Sequence, residues 1–474
     1  MEKLIGRIDE IKVLKSLLES DKPEFVAIYG RRRIGKTFLI RSVFDNKFLF
    51  QMTGIANVSL EQQLANFYDS YNLQFMQRIT DEPKNWFEAF AHLRLMVEKS
   101  RIKNKIVFLD ELPWMDTPRS NFIPALEHFW NSFGSTQPNL KLIVCGSAAS
   151  WMINKLINNK GGLHNRVTKR LFIKPFTLQE VEVYLKSKSI NLDRYQILQL
   201  YFVMGGIPFY LNEIEKGLSA FQLIDKLCFS DNGFLRSEYQ NLFYSLFQNA
   251  ETHLAVVEAL CTKSKGLTRD EIIKVANINN GGTTTKVLEE LEVSGFIKKY
   301  QPYNRKLRNS LYQLTDPYCL FYHKFIKNSK ATGENTWINL LDSSAYRAWS
   351  GYAFEYACMS HIDQIEKALG ISGIYTEISS WRGQNGDNQG TQIDLLIDRK
   401  DNIITICEIK YSSDSFVITK AYANSLSNKI SVFKSESKTK KLVFLAMITT
   451  HELKENEYSL GLVQNTITMD ALFS

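Results

Sequence analysis

Gly30, Gly35, Lys36 and Thr37 stand in the spacing G-x-x-x-x-G-K-T within EFVAIYGRRRIGKTFLIRSVF. These residue types suit the binding of a phosphate chain. Glycines let the backbone N–H groups of Gly30, Arg31, Arg32, Arg33, Ile34 and Gly35 wrap phosphate oxygens. Lys36 then reaches the β and γ oxygens of ATP, and the Thr37 hydroxyl ligates Mg²⁺ at a helix N-terminus that already favours anions. An apolar run, Phe25 to Tyr29, precedes the motif and an apolar helical pattern follows it, which is the setting such a loop needs.

The partner of a phosphate loop is an apolar strand ending in an acid, and KNKIVFLDELPWM supplies one. Asp110 is expected to hold Mg²⁺, and Glu111 to orient or deprotonate the attacking water. The plainer reading of the pair is a cap for the next helix. Ser147, just past the run KLIVCGS, is a candidate to sense the γ-phosphate or, equally, an N-cap. Arg166 and Arg170, in GGLHNRVTKRLF, are candidates to touch the γ-phosphate from the same or a neighbouring subunit.

A second set of charges lies in QIDLLIDRKDNIITICEIKY, residues 392 to 411, where Asp394, Glu408 and Lys410 interrupt two isoleucine-rich runs. A hairpin centred on Asp401 pairs residues whose numbers sum to 802 and sets Asp394 opposite Glu408, within ~5.5 Å at Cβ. Lys410 shares the face of Glu408. Two carboxylates so placed could bind Mg²⁺ or Mn²⁺, while the ammonium orients water or stabilises a pentavalent phosphate. A solvated cross-strand ion pair is the usual meaning of such residues, but Ile404 and Ile406 on the same face make charge costly unless it is used or paired. Glu355, in the helical pattern SGYAFEYACMSHI, is a candidate third metal ligand.

The elements that must position these residues can be read coarsely. Apolar runs near residues 50, 145 and 172 join the two already named, and helical segments between them predict a parallel, doubly covered α/β sheet. Residues from about 177 to 250 read as helices, a lid for the nucleotide, broken by MGGIPFYL at Gly205, Gly206 and Pro208. Residues 251 to 316 give three short helices and two strands, Ile297 to Tyr300 and Leu311 to Leu314, the order of a winged helix-turn-helix. In that reading Thr284, Thr285 and Lys286 face outward toward a DNA groove, and Arg305, Lys306 and Arg308 meet phosphates. Rigid protein packing is the bland alternative for this region.

At 474 residues the chain is too long for one ordinary core. Its net charge of +8 permits a polyanionic partner without requiring one. No apolar run approaches the ~20 residues of a membrane span. The start lacks a signal-peptide pattern, and the six cysteines are scattered without metal-ligand spacing, so a cytoplasmic protein with reduced thiols is expected.

The ordered set GRRRIGKT, FLDELPWM, CGS and MGGIPFYL, followed by the helical middle, resembles the AAA-like ATPases of the STAND-related class, abundant in archaea and present in some bacteria. The tail segments GYAFE, QIDLLID and CEIKYS resemble the PD-(D/E)xK nuclease superfamily, with Ile393 where a proline is usual. The resemblance implies a multidomain α/β protein: a P-loop ATPase core over 1–176, a helical lid over 177–250, a winged helix-turn-helix over 251–316, a linker over 317–345 and a restriction-endonuclease-like domain over 346–474. It further implies Mg-dependent ATP hydrolysis linked to nucleic-acid handling, DNA favoured, with a homo-oligomer possible. Two rivals stand beside a nuclease: a nucleotide-gated switch whose nuclease-like fold only grips DNA or protein, and a P-loop kinase or transferase.

Overall fold

The computed structural model describes residues 4–247, 249–304, 310–329, 335–384 and 390–474. The chain divides into two compact units: Met1–Pro175 with Ser245–Gln248 and Glu289–Gly295, and Phe176–Tyr244 with Asn249–Leu288 and Phe296–Ser474.

The first unit is built on five parallel strands, β1 (Glu24–Gly30), β2 (Phe50–Thr53), β3 (Lys105–Asp110), β4 (Leu140–Gly146) and β5 (Lys169–Ile173), in the order β2-β3-β4-β1-β5. The three central strands are apolar at nearly every position because both faces are covered. Alternate residues go to opposite sides. Phe25, Ala27, Val107, Leu109, Leu142 and Val144 pack with the helices Leu60–Gln74, Trp86–Lys99 and Phe122–Ser132. Val26, Ile28, Ile106, Phe108, Ile143 and Cys145 pack with Ile8–Glu19 and Lys36–Val43. At ~25 cal/mol per Å² of apolar surface, each large side chain so buried contributes roughly 1.5–3 kcal/mol, which fixes the strand register that brings the ends of β1, β3 and β4 to one edge.

The second unit begins with five helices between Leu178 and Tyr244. Gly205 closes the helix Arg194–Met204 in the left-handed conformation, φ 60°. A Cβ on Gly206 would lie 2.2 Å from the Phe176 carbonyl oxygen. The glycine pair is thus explained as a tight corner.

The middle region has helices Ala250–Cys261, Arg269–Ala276 and Gly282–Val293, then β6 (Ile297–Tyr300) and β7 (Leu311–Leu314), which pair antiparallel. Thr268 and Glu271 form the expected capping box at the second helix. Of the three residues expected to face outward on the third helix, Thr284 does not. It is buried, and its hydroxyl donates to the Asn279 carbonyl at 2.5 Å. Thr285 and Lys286 are exposed, and Arg305, Lys306 and Arg308 lie outside the described residues.

Residues 317–345, expected as a linker, are structured where described. The helix Pro317–Phe321 leads into a wider turn over Tyr322–Ile326, and Trp337 is fully buried. The Trp337 ring meets those of Phe321 and Phe325 at 5.0 Å each and Trp349 at 5.7 Å. Its backbone N–H donates to Asp225 Oδ1 at 2.6 Å.

The tail adds the helix Ser344–Ser360, an antiparallel run of β8 (Thr376–Gln384), β9 (Gly390–Arg399) and β10 (Ile403–Lys410), the short β11 (Phe416–Val417), the helix Lys420–Ser437, then β12 (Leu442–Thr449), β13 (Leu453–Lys454) and β14 (Asn465–Thr468). The main sheet has the order β14-β12-β10-β9-β8, with β12 and β14 parallel to β10. Leu426 and Phe433 of the second helix pack on Ile393, Leu396, Ile404 and Ile406. No helix among the described residues is long and apolar enough to cross a membrane.

Candidate functional site

The sharp turn after β1 is set by backbone conformations that suit glycine. Gly30 has φ 150° and a Cβ there would stand 2.5 Å from the Ile173 carbonyl oxygen, while Gly35 has φ 88°. Arg33 also takes a left-handed φ of 67°. Ile34 and Arg31 are buried, Arg32 partly so. The Arg7 guanidinium holds the loop from outside the motif, donating to the carbonyls of Lys174 and, at 3.2 Å, Ile34.

Lys36 is 5% exposed and its ammonium donates to the carbonyls of Gly30 (3.1 Å) and Arg31 (3.0 Å) and to Ser147 Oγ (3.0 Å). Burial pulls this ammonium below the usual lysine range, and Cys145, Glu111 and Asp110 pull the other way. Thr37 donates its hydroxyl to Asp110 Oδ2 at 2.9 Å. Ser147 also donates to Glu111, hydroxyl to Oε1 at 2.6 Å and backbone N–H to Oε2 at 3.0 Å. Both carboxylate oxygens of Glu111 are thus engaged by one serine that also receives Lys36.

Glu111 sits at φ 47°, ahead of the short helix Leu112–Met115, and its side chain makes no cap hydrogen bond. The capping alternative for Asp110-Glu111 therefore lacks its hydrogen bond. The same holds for Ser147, since Ala148, not Ser147, precedes the helical turn Ala149–Trp151. Of the predicted residues, Lys36, Thr37, Asp110, Glu111 and Ser147 come together; Arg166 is exposed in the turn ahead of β5 and stands outside that bonded group, and Arg170 lies beside Tyr29.

In the second unit the β9–β10 hairpin pairs Ile404 with Asp398 and Cys407 with Leu395, numbers that sum to 802 as expected. The ladder ends there, one step short of Asp394 and Glu408. On its other side β9 carries a bulge: Ser379 pairs Leu396 but Trp381 pairs Ile393, so Asp394 and Leu395 together oppose Ser380. A bulge re-aims the side chains it carries, so the uninterrupted face expected to join Asp394 to Glu408 is broken locally.

Glu408 is buried among partners. Its Oε1 accepts from Tyr422 (2.6 Å) and pairs with Lys410 (3.0 Å), and its Oε2 accepts from Lys429 (2.6 Å). Burial alone would raise this carboxyl, yet Lys429 and Lys410, with the hydrogen bonds from Lys429 and Tyr422, bring it below the ordinary range. Asp394 accepts from Gln392 and, at 3.5 Å, from Lys265 of the middle region. Lys265 is itself fixed, its carbonyl accepting from Tyr300 (2.5 Å) and Arg382 (3.1 Å).

Glu355, Asp394, Glu408, Lys410, Lys429 and Lys265 line one groove of about 470 Å³. Among the described residues no three His, Cys, Asp or Glu side chains are grouped so as to hold a metal ion. The expected ligand set Glu355, Asp394 and Glu408 thus shares a groove without enclosing an ion, because Glu408 is turned to its lysines.

The Glu355 carboxyl is pushed up to about 7, by burial first and then by Asp394, with Lys265 and Lys410 opposing. A carboxyl whose folded value lies above its unfolded one stabilises the fold fully below the unfolded value near 4.3, and that contribution is lost as pH rises through about 7. Glu355→Gln is therefore expected to stabilise the chain at pH 8 by on the order of 1–3 kcal/mol and to have no effect at pH 4. Thermal melts at the two pH values check this, and an equal shift at both would count against a buried, acid-flanked Glu355.

Residues 4–214 match a family model described as an ATPase domain predominantly from Archaea. The front of this chain is an ATPase domain. An uncharacterised protein of Methanocaldococcus jannaschii is 24% identical over 412 residues, 86% of this chain and 87% of that protein. The Walker-type ATPase of Pyrococcus abyssi superposes with a TM-score of 0.49 at 17% identity, covering 68% of this chain and 96% of that one. A signal transduction ATPase with numerous domains from Pyrococcus horikoshii, carrying a tetratricopeptide-repeat sensor, gives 0.33 at 16% identity over 78% and 50%.

Within the ATPase domain Lys36, Thr37, Asp110, Glu111 and Ser147 were identifiable from sequence, whereas Cys145, whose thiol donates to Asp110 Oδ1 at 2.5 Å, was not, since it reads as a core residue of β4. The groove of the second unit was not identifiable either. Lys429 and Tyr422 lie seven apart on one helix with Thr419 as its N-cap, a pattern that would have shown them to share a face. Lys265 and Gln392 carry no such signal, since their place beside Asp394 depends on contacts between distant segments.

Proposed function

We propose that the chain is a Mg-dependent ATP hydrolase whose nucleotide state controls a carboxy-terminal nuclease or nucleic-acid-binding domain. The observation that carries the ATP part is the bonded set Lys36–Ser147–Glu111 beside Thr37–Asp110. These residues fit ATP and Mg²⁺: a backbone turn of left-handed residues, a buried ammonium directed at the loop, and a hydroxyl–carboxylate pair of the oxygen chemistry Mg²⁺ prefers. Mg²⁺, when bound, would neutralise charge on the β and γ oxygens. The chain's own groups do the rest. Lys36 offsets charge on the terminal phosphoryl group, Asp110 orients Thr37, Glu111 accepts the proton of the attacking water, and Ser147 holds the Glu111 carboxylate in position.

For the second unit, the support is the order helix, three antiparallel strands, helix, parallel strand, with Asp394, Glu408 and Lys410 on adjacent strands of it. An α/β arrangement is what the resemblance to restriction-endonuclease-like domains implies, and the middle helices with the β6–β7 pair suit a winged helix. In a cut at this groove Lys410 would stabilise charge on the phosphate.

The test is incubation with ATP, Mg²⁺ or Mn²⁺, and supercoiled, linear and single-stranded DNA or RNA. Cleavage is expected to fall at least ~100-fold in Lys410→Ala, the cost of removing one positioned donor to a developing charge. Its fate in Lys36→Ala shows whether ATP licenses the cut. ATP hydrolysis without cleavage under any condition would leave the groove as a binding patch of a nucleotide-gated switch.

A further inference from the structure

A second cavity in the same unit, about 670 Å³, opens beside the charged groove and shares Lys265, Tyr352, Glu355, Gln392 and Asp394 with it. The size lies within the roughly 300–1,000 Å³ of small-ligand sites. Its walls come from the middle region and from the helices Pro317–Phe321 and Ser344–Ser360. They combine two features that recur where single nucleic-acid strands are held. One is aromatic surface: Tyr352 is 42% exposed, and Tyr356, half-buried, lies on the same helix. The other is positive charge: Lys298 and Lys324 line the cavity and are exposed. Of the three acids there, Glu258 pairs with Lys327 and Asp394 with Lys265 at 3.5 Å, and Glu355 is outnumbered by Lys298 and Lys324, four lysines to three carboxyls in all. Lys298 and Lys324 therefore leave the cavity with a net attraction for an anion.

We propose that this cavity is a nucleoside-phosphate site, with the base stacked on Tyr352 and the phosphate drawn to Lys324 and Lys298. Because Asp394 and Glu355 belong to both walls, a nucleotide seated there places the adjoining phosphodiester at the groove. The chemistry is that of a strand end or an unpaired nucleotide, not of a base-paired duplex whose bases are stacked on one another. This deepens the nuclease reading and rests on it for the fate of the phosphodiester, but not for the binding itself.

The test is fluorescence anisotropy on the full chain in EDTA, which suppresses metal-dependent cleavage, with labelled single-stranded oligonucleotides and the same sequence as a blunt duplex. The single strand is expected to bind at least ~10-fold tighter. Tyr352→Ala and Lys324→Ala are each expected to weaken it by about 5–10-fold, within the range for losing one base–aromatic stack, and Tyr352→Phe to restore it. ATP hydrolysis should be unchanged in all three. Displacement by dTMP would identify a free nucleotide as sufficient, and its failure to displace would identify the strand terminus as the ligand. Equal affinity for strand and duplex, or indifference to both alanine variants, overturns the proposal. Single-strand binding without any cleavage removes the nuclease reading and leaves this site standing; cleavage with binding that ignores Tyr352 and Lys324 does the reverse.

Discussion

Lys36→Ala is expected to lower ATP turnover by about 100- to 1,000-fold, the cost of removing one preorganised donor from a developing negative charge. The loss should exceed what charge removal at a surface would give, because this ammonium is buried and its three acceptors, Gly30, Arg31 and Ser147, fix its direction. Lys36→Arg should not rescue it, since the planar fork cannot fill a space shaped for a point charge between two carbonyls and a hydroxyl. Phosphate release assays under saturating Mg·ATP check both. A rate above a tenth of the parent's in Lys36→Ala would refute the assignment.

Glu111→Gln should separate binding from chemistry. The amide oxygen can still accept from Ser147, so the turn after β3 should keep its shape, while the group that takes the water proton is gone. Turnover is expected to fall by roughly 10²–10⁴-fold with ATP affinity changed only a few-fold, measured by calorimetric titration beside single-turnover hydrolysis. If Glu111 only shaped the turn, the glutamine variant would hydrolyse ATP like the parent, and that result would move the base elsewhere. Ser147→Ala offers a graded control, because it removes one of the two bonds that hold Glu111 and leaves the backbone N–H bond in place.

The ATPase domain was legible because its chemistry is local. A single turn joins Gly30 to Thr37, and strand ends brought level by parallel register carry Asp110 and Ser147 to it. What sequence could not show there was the double engagement of Glu111 by Ser147, which depends on a left-handed residue at position 111 that no propensity favours. In the tail, centring the hairpin on Asp401 was an assumption whose register holds along the paired residues, yet the bulge at Asp394–Leu395 was invisible, since it arises on the opposite edge against β8. Thr284 was misjudged because helical spacing alone does not say which face the preceding loop will cover. The segment 317–345 reads as a linker in sequence because its apolar runs are short and split by a polar stretch, and the burial of Trp337 is decided by Asp225 and by rings far away in the chain.

The seam around Trp337 limits how this protein can be taken apart and recombined. Phe229 comes from the helices between Leu178 and Tyr244, Phe321, Phe325 and Trp349 come from the helices after the middle region, and all meet one indole. Tyr411, next to Lys410, shares hydrogen bonds with Gln199 at 2.7 Å and Tyr346 at 3.2 Å, adding a polar tie to the helix Arg194–Met204. A gene fusion that grafted residues 346–474 onto another enzyme would carry Trp349 away from Phe229, Phe321, Phe325 and Trp337 and part the Tyr411 hydroxyl from Gln199. The tail thus shares its core with the helices before it, so a truncation that keeps residues 346–474 alone is expected to lose the packing of Trp349 and the anchoring of Tyr411.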